Sequence, residues 1–301
     1  MKQNNILWLV LLLFISSCGE GDSTNPSPNP IPEPEQSIYF ECLPVVAENT
    51  LDVVTWNIER FPIVSSAIES VAEVINALDA DLIAVQEITN DDDFNALIDL
   101  IPGWAGFTKQ FNGGNTMLGY LYKESEITLI GTPMFLYEEQ SADYNEAFTA
   151  FRRPYHAKFQ HINGLEIDFI NVHLKCCDGS ENRRRKASVL LKEYIDLNLS
   201  SDEVVLLGDF NDEIVDEDDN VFQNFIDDNE NYLFSTMAIA QGDDDFWSFP
   251  NWPSQIDQIL ISDELFVNET HTNVLEFDFC NDNFLNIISD HRPVLISFQR
   301  N

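Results

Sequence analysis

Short apolar runs that end on a polar side chain recur along the chain and predict β-strands. A run of this length, bounded by polar or turn-forming residues, is typical of a buried strand in a layered α/β protein. The predicted strands cover residues 51–57, 82–85, 165–173, 204–207, 256–261 and 294–298. Between residues 104 and 159 the pattern is mostly one of further strands and turns, as in antiparallel pairs.

Three longer segments predict helices. Residues 65–78 carry apolar residues at helical spacing after a candidate cap at Ser65 or Ser66, and residues 93–101 are followed by Pro102-Gly103. A third helix is expected over residues 181–199. Helices that alternate with strands rich in Val and Ile predict an α/β fold, with two sheets packed face to face and helices outside.

The N-terminus has the pattern of an export signal. Lys2 precedes an apolar run over residues 6–15, which is too short to span a bilayer comfortably. The Ser16-Ser17-Cys18-Gly19 sequence that follows resembles a bacterial lipobox, which implies a signal peptide over residues 1–17 and a lipid on the Cys18 sulfur. An ordinary signal peptide with a chance cysteine is the alternative. The proline-rich residues 18–37 predict an extended tether, and the folded domain is expected over residues 38–301.

Four further cysteines remain after Cys18, namely Cys42, Cys176, Cys177 and Cys280. Export to an oxidising compartment favours disulfides, and four cysteines allow three pairings among which the sequence does not choose. We favour a Cys42–Cys280 bridge between the two ends of the domain, with a strained bridge between Cys176 and Cys177. A zinc site is the alternative, although adjacent cysteines are poorly spaced for a metal.

The charge balance is extreme, with 52 acidic against 15 basic residues and a formal net charge of −37. The simplest interpretation is a solvated acidic shell. Such a surface repels a long polyanion, but it does not exclude a local metal site. Ten cations lie beside the motifs described below, which indicates a basic pocket that attracts an anionic substrate. They are Arg60, Arg152, Arg153, Lys158, Lys175, Arg183, Arg184, Arg185, Lys186 and Arg292.

Polar residues recur at one kind of place, next to the ends of the predicted strands. They are Asn57, Glu87, His173, Asp209, Asn211, Asp257, Asp290 and His291. A single Asp or Glu at such a place is usually a turn residue or a helix cap. So many occurrences predict a functional site, because strand ends form the rim where sites collect in layered α/β proteins.

The residue types at this rim suit phosphate chemistry. Oxygen ligands such as Glu87 and Asn57 suit Mg²⁺ or Mn²⁺, which bind phosphate oxygens, and Asp290 is a further candidate ligand. The neutral amide of Asn211 can orient a water without repelling phosphate. A histidine held by a carboxylate, as His291 by Asp257, can pass a proton or bind the phosphate.

Six motifs in this order resemble the endonuclease/exonuclease/phosphatase superfamily, which includes deoxyribonuclease I, apurinic-site endonucleases, inositol polyphosphate 5-phosphatases and bacterial sphingomyelinases. The motifs are Thr55-Trp56-Asn57-Ile58, Val85-Gln86-Glu87-Ile88, Asn171-Val172-His173-Leu174, Gly208-Asp209-Phe210-Asn211, Ile256-Asp257-Gln258-Ile259 and Ser289-Asp290-His291-Arg292-Pro293. Each motif alone is weak, but six at compatible spacing are specific. The resemblance implies a four-layer α/β sandwich of two mixed β-sheets with helices outside, over residues 38–301.

The resemblance also implies a role for each matching residue. Glu87 is the principal metal ligand, with Asn57 and Asp290 nearby. Asp209 and Asn211 align the attacking water and the phosphate, and His291, oriented by Asp257, acts as base or phosphate ligand. His173 stands where deoxyribonuclease-like members carry a second catalytic histidine. Arg152 is the expected phosphate-contacting arginine, in preference to Arg153.

Some features depart from the family or stay open. Deoxyribonuclease I pairs its extra histidine with a Glu in the region that corresponds to residues 117–120, where this chain has none, so a structural role for His173 is the alternative. The cations of residues 183–186 face either phosphate or solvent. The acidic runs 91–93, 216–219 and 243–245 do not fit a calcium-binding EF-hand loop and are interpreted as acidic loops. The aromatic segment 246–252 is a candidate specificity element or a packed loop.

We therefore expect an exported, lipid-anchored and monomeric hydrolase of phosphate esters. Mg²⁺ is the expected cofactor, with Mn²⁺ or Ca²⁺ as alternatives. A nuclease that uses in-line attack by an activated water is the leading hypothesis, with nucleic acid as substrate. The alternatives are a phosphatase or a sphingomyelinase-like phospholipase C acting on a smaller headgroup, and a catalytically silent binding protein at the cell surface.

Overall fold

The computed structural model describes residues 37–300, apart from residues 46, 48, 217 and 218. The predicted signal peptide, Cys18 and residues 18–36 of the tether lie outside the described residues, so they stay predictions. Within the described part of the chain, no helix has both the length and the apolar character needed to cross a membrane.

The strands and helices alternate along the described residues much as the apolar pattern predicts. The strands are β1 Leu51–Phe61, β2 Leu82–Ile88, β3 Trp104–Lys109, β4 Met117–Lys123, β5 Ile127–Phe135, β6 Tyr155–His161, β7 Glu166–His173, β8 Glu203–Asp209, β9 Tyr232–Phe234, β10 Asp257–Ser262, β11 Glu269–Val274 and β12 Val294–Phe298. The α-helices are α1 Ala67–Leu78, α2 Asp91–Asp99, α3 Ala142–Phe148, α4 Glu181–Asn198, α5 Gln223–Ile226, α6 Met237–Ala240 and α7 Phe284–Ile287. Short 3₁₀ helices are Ile38–Cys42, Asp244–Phe246, Asp263–Leu265 and Phe277–Phe279.

The strands of the described residues form two six-stranded sheets. The first has the order β11-β12-β1-β2-β4-β3, and the second has the order β5-β6-β7-β8-β10-β9. Each sheet contains a parallel pair, β1 with β2 in the first and β7 with β8 in the second. The other neighbours pair in antiparallel fashion, so both sheets are mixed, as predicted.

Three apolar clusters separate four layers. Alternation along β1 sends Val53 into the cluster between the two sheets and Val54 into the cluster under α1 and α2. A third cluster packs Leu191 of α4 against the outer face of β7 and β8. Burial of both faces of each sheet explains why the central strands are continuously apolar, and it confirms the four-layer α/β sandwich.

Several element boundaries differ from the sequence prediction. Helix α1 begins at Ala67, and Ser66 occupies the cap position without a side-chain hydrogen bond. Helix α3 lies in a region predicted as strands and turns, and Ser141 caps it by accepting from the Tyr144 backbone N–H at 3.0 Å. Strand β11 was not predicted, because its half-exposed sequence carries no apolar run.

Of the two disulfides favoured from the sequence, one is present in the structure. Cys42 and Cys280 form the predicted bridge, which also removes two of the thiols that a zinc site would need. The predicted Cys176–Cys177 bridge is wrong, because both residues are free thiols in this structure. Consecutive Cα atoms lie about 3.8 Å apart across a trans peptide, which is shorter than the roughly 4.4 Å that disulfides normally require.

We expect Gly208→Ala to destabilise the fold by about 3 kcal/mol or more. Gly208 has a φ of +142°, and a Cβ there would lie 2.0 Å from the Val172 carbonyl oxygen of the paired strand β7. Gly179→Ala is the matched control, because Gly179 also has a positive φ of +82° but no neighbour within 4 Å of a new Cβ. Urea unfolding measures both, and equal losses would contradict the proposed clash.

Candidate active site

Strand register brings the predicted residues of the second sheet together. His173 at the end of β7 is the register partner of Asp209 in β8. Asp209 is in turn the register partner of Asp257 at the start of β10. The three side chains therefore stand side by side at one edge of the sheet, and all three are buried.

Asp257 and His291 form the pair that the sequence predicts. The Asp257 carboxylate lies 2.8 Å from His291 Nδ1, and Asp257 is completely buried. Burial alone would lower the pKa of His291, but the charge and hydrogen bond of Asp257, with the charges of Asp209 and Asp290, raise it to about 10. His291 is therefore an imidazolium at neutral pH and can contact an anion.

Asp209 is held in one orientation at the centre of the site. Its Oδ2 accepts a hydrogen bond from Asn57 Nδ2 at 3.0 Å, and its Oδ1 accepts from the Asn211 backbone N–H at 2.9 Å. Burial raises the pKa of Asp209 to about 7, although the charge of His291 opposes the shift. A carboxylate with a pKa near neutrality is suited to accept a proton from water.

His173 lies beside Arg152. Arg152 donates from one guanidinium nitrogen to His173 Nε2 at 2.9 Å and to the Leu174 carbonyl at 2.7 Å. Burial, followed by the charges of Arg152, His291 and Lys175, holds the pKa of His173 well below its usual range. The neutral ring accepts from Arg152, so its proton sits on Nδ1 and the histidine positions the arginine.

The neighbouring Arg153 has a structural role and not a role in the site. It is completely buried and donates to main-chain and side-chain oxygens rather than facing the site. The acceptors are the carbonyls of Tyr137, Glu139, Tyr144 and Thr149 and the side-chain oxygen of Asn145. The preference for Arg152 over Arg153 as the phosphate contact agrees with this geometry.

Glu59 of β1, Glu87 of β2 and Asp290 before β12 are the carboxylates at this end of the first sheet. Glu87 Oε1 lies 3.6 Å from His173 Nε2, and its Oε2 accepts from the Arg60 backbone N–H at 3.0 Å. The Asp290 backbone N–H donates to Glu59 Oε2 at 3.2 Å. Burial, followed by the negative charges of Asp290 and Glu87, raises the pKa of Glu59. Carboxylate oxygens are the donors that a hard divalent cation prefers, but among the described residues these three do not bring their ligand atoms within 4.8 Å of one another.

Sequence reasoning missed Glu59. Strand β1 continues to Phe61 instead of ending at Asn57, and its register with β2 shifts between those two residues. Glu59 and Arg60 both adopt positive φ angles, of 38° and 42°, so the irregular backbone sets the direction of the Glu59 side chain. The one feature of the sequence that could have indicated Glu59 as a site residue is its position two residues after Asn57.

Both polar atoms of the Asn57 side chain form hydrogen bonds. Its Nδ2 donates to Asp209, and its Oδ1 accepts from the Glu59 backbone N–H at 3.1 Å. The backbone of Asn57 is tied in turn to the turn before β12, since Ser289 donates to its carbonyl at 2.6 Å. Asn57 therefore holds Asp209 and the Glu59 turn in place beneath the carboxylates.

The prediction that ten cations form a basic pocket is wrong for most of them. Arg184 and Arg292 are almost fully buried and bind Asp212 and Asp278 instead. Lys186 forms ion pairs with Asp143 and Glu146 of α3. The cations are used to neutralise parts of an acidic protein, so proximity in sequence did not indicate proximity to the site.

The aromatic segment 246–252 does reach the site. The Phe249 ring packs on His291 with ring centroids 4.8 Å apart, and the Ser248 hydroxyl accepts from the Asp257 backbone N–H at 3.2 Å. Trp252 is 78% exposed near the tip of the same segment. The segment thus supports the Asp257–His291 pair and presents an aromatic ring to solvent.

The predicted acidic loops have local roles. The run 91–93 was predicted as a loop, which is wrong, because Asp91, Asp92 and Asp93 form the first turn of α2, where negative charge is favourable. The exposed carboxylates of Asp243, Asp244 and Asp245 lie within 4.8 Å of one another. Asp244 and Asp245 begin the short 3₁₀ helix Asp244–Phe246, which Asp243 caps, so the prediction of a plain loop is wrong here.

A four-layer sandwich with this arrangement of Asp, Asn, His and Glu at its rim defines a hydrolase of phosphate esters. The sequence matches the model of the Endonuclease/Exonuclease/phosphatase family over residues 54–291, so the chain belongs to that family. Enzymes of this family typically depend on divalent metal ions. A comparison with curated proteins gives no match.

Solved structures share the fold. The human Nocturnin catalytic domain with bound sulfate is 17% identical and covers 85% of this chain and 96% of that chain, with a TM-score of 0.61. D. rerio TDP2 complexed with a single-stranded DNA product is 11% identical and covers 84% and 100%, with a TM-score of 0.66. A Bacteroides thetaiotaomicron mannosyl-6-phosphatase is 16% identical and covers 83% and 100%, with a TM-score of 0.62.

We expect Asp257→Asn to lower the pKa of His291 from about 10 towards its usual value, because Asp257 is the largest influence that raises it. NMR of the imidazole ring measures this directly: the wild-type ring stays protonated from pH 6 to 8, whereas the variant ring titrates. Since the folded pKa exceeds the unfolded one, the stabilisation by this pair is complete below about pH 6.5. It is lost as the pH rises through about 10. A wild-type ring that titrates near its usual pKa would refute the assignment.

Proposed function

We propose that this protein is a divalent-metal-dependent phosphodiesterase that cleaves nucleic acid by in-line attack of water. The observation that supports the proposal most strongly is the environment of Asp209. Asn57 and Asn211 fix both of its oxygens, and the Asp257–His291 pair stands next to it. A proton acceptor and an imidazolium side by side are what attack on a phosphate ester requires.

The residues divide the reaction between them. Asp209 takes the proton from the attacking water, and Asn211 aligns that water. His291, protonated through Asp257, and Arg152, held by His173, contact the phosphate oxygens and stabilise the charge that develops on them. His173 is a positioning residue in this scheme, which agrees with the absence of the deoxyribonuclease-type Glu at residues 117–120.

Glu87 and Asp290, with Glu59, are the residues proposed to hold the metal. Mg²⁺ is the proposed ion because the donors are carboxylate oxygens, with Mn²⁺ and Ca²⁺ as alternatives. When bound, such an ion supplies positive charge to the phosphate oxygens. Asn57 supports this group from below through the Glu59 backbone.

A smaller phosphorylated substrate is the second candidate, and the charge of the protein favours it. A formal net charge of −37 opposes a long polyanion much more than it opposes a single phosphate group. The mannosyl-6-phosphatase among the structural neighbours shows that this fold carries such an activity. Phosphomonoesters and phospholipid headgroups therefore belong in the substrate panel.

We expect EDTA and Glu87→Ala each to reduce turnover of plasmid DNA by about 100-fold or more, since each removes charge stabilisation from the reacting phosphate. Glu193→Ala, an exposed carboxylate of α4, is the matched control and should retain activity. Sphingomyelin, an inositol polyphosphate and a sugar phosphate are tested in parallel. Undiminished turnover in EDTA would refute the metal mechanism, and hydrolysis of the small substrates alone would select the second candidate.

The adjacent arginines give a second test. Arg152→Ala should keep the fold and raise KM or lower kcat by about tenfold, because one charged hydrogen bond to phosphate is lost. Arg153→Ala should instead lower the free energy of unfolding by about 3 kcal/mol, because several buried oxygens lose their donor. Thermal unfolding and steady-state kinetics separate the two variants. A destabilised Arg152→Ala with normal kinetics would reverse the assignment.

We also propose, from the sequence alone, that the protein is exported, is anchored through a lipid on Cys18 and acts as a monomer. Mass spectrometry of the N-terminal peptide from a membrane extract tests the anchor. Cys18→Ser should release the protein from the membrane fraction, and an unmodified Cys18 would refute the anchor. Light scattering of the domain from residue 38 onward tests the monomer.

A further inference from the structure

Lys109 is a cation beside the active site, and the proposed mechanism does not use it. It is the last residue of β3, and its register partner in β4 is Leu118. The residue before that partner, Met117, pairs with Ile88, which follows Glu87 in β2. Lys109 therefore lies at the same edge of the first sheet as Glu87, a proposed metal ligand.

Strand alternation turns the Lys109 side chain towards the second sheet. The hydroxyl of the preceding residue, Thr108, donates to the Asp91 carboxylate of α2, which packs on the outer face of the first sheet. Successive side chains of a strand point to opposite faces, so Lys109 points away from the aspartates of α2. Its Nζ lies 5.2 Å from the centroid of the Phe135 ring, which ends β5 of the second sheet.

Lys109 and Arg152 line one narrow crevice at this edge, together with Phe111 and His173. Arg152 uses a single guanidinium nitrogen, Nη1, for both His173 and the Leu174 carbonyl. Its Nε and Nη2 donate to no acceptor among the described residues. Donors of Arg152 are therefore available to a ligand on the crevice that it shares with Lys109.

These two cations also lack acidic partners, which sets them apart in a protein with a formal net charge of −37. Lys123, Lys186 and Lys192 are each paired with two carboxylates. Lys109 and Arg152 form no ion pair with a carboxylate in the part of the chain that the structure describes. Two uncompensated positive charges on one crevice attract an anion to it.

The size of the crevice limits what it can hold. Its volume is about 260 Å³, including the open mouth, whereas pockets that enclose a drug-sized ligand hold roughly 300 to 1,000 Å³. The crevice is too small to enclose a base together with its sugar. A phosphate group at the mouth is within reach of Lys109, because this side chain is exposed.

We propose that Lys109 and Arg152 bind a second phosphate group of the substrate, next to the phosphate that is cleaved. The proposal rests on the proposed function, in which Arg152 contacts the reacting phosphate. The second group must be a close neighbour of the first, since the same arginine serves both. Oligonucleotides and small molecules with two phosphate groups meet this requirement. Sphingomyelin and a sugar monophosphate carry one phosphate and gain nothing from Lys109.

Steady-state kinetics of the full chain with Mg²⁺ test this subsite. A thymidine oligonucleotide with two phosphodiester groups is compared with the dinucleotide that has one, and an inositol bisphosphate with the monophosphate. In the pair that is hydrolysed, the wild type should have the lower KM for the member with two phosphates. Lys109→Ala should raise that KM by about tenfold and abolish the difference, because a hydrogen bond from a charged group is lost. Lys109→Arg, which keeps the charge, should retain most of it.

The matched control is Lys192→Ala, which removes the same charge from a residue that is paired with Asp196 and Asp228. It should leave the ratio of the two KM values as in the wild type. An equal rise of KM for both members in Lys109→Ala would place Lys109 at the reacting phosphate and overturn the proposal. Wild-type KM values in Lys109→Ala would overturn it as well.

Calorimetry separates this proposal from the proposed function. Thymidine with phosphates on both hydroxyls should bind the wild type more tightly than thymidine with one phosphate, and Lys109→Ala should remove this preference. Such a result without turnover of nucleic acid would support the subsite and refute the proposed substrate. Turnover of nucleic acid by a wild type that shows no preference would support the proposed function and overturn the subsite.

Discussion

The two sheets are held in register by a small set of buried hydrogen bonds, and the active site depends on that register. Gln86 of the first sheet donates to the Asn171 side-chain oxygen of the second at 2.9 Å. Asn171 donates in return to the carbonyls of Val85 and Gly119, both at 3.1 Å. Apolar contacts between sheets tolerate sliding, whereas buried amides that must find partners do not. The carboxylates of the first sheet therefore meet Asp209 and His173 of the second at fixed distances.

Within the site, neighbours decide the state of each titrating group more than residue type does. His173 and His291 belong to the same buried cluster, yet the pKa of one is lowered and that of the other is raised. The difference follows from the partner, which is Arg152 for His173 and Asp257 for His291. One histidine thus positions a cation, and the other becomes a cation. This division is what a single phosphate group between them would need.

The sequence was sufficient for the parts of the structure with a local cause. Fully apolar strands were predicted because their burial follows directly from the pattern of residues, and the Asp257–His291 pair was predicted from the resemblance of the ordered motifs to the family. Glu59 was missed because an irregular backbone, and not strand alternation, sets its direction. The ion pairs of Arg184 and Arg292 were not predicted, because their acidic partners come close only in the tertiary fold. Strand β11 was missed because an edge strand needs no apolar run.

The Cys42–Cys280 bridge has a mechanical consequence. Cys42 precedes β1, the strand that carries Asn57, and Cys280 lies between β11 and β12, of which β12 pairs with β1 in the first sheet. Tension applied through the chain before residue 42 passes across the covalent link and is shared with the C-terminal strands. It does not peel β1 away from one end. A protein pulled by a tether at its N-terminus would thereby keep its catalytic edge under load, with the force borne by a bond and not by the hydrogen bonds of a single strand.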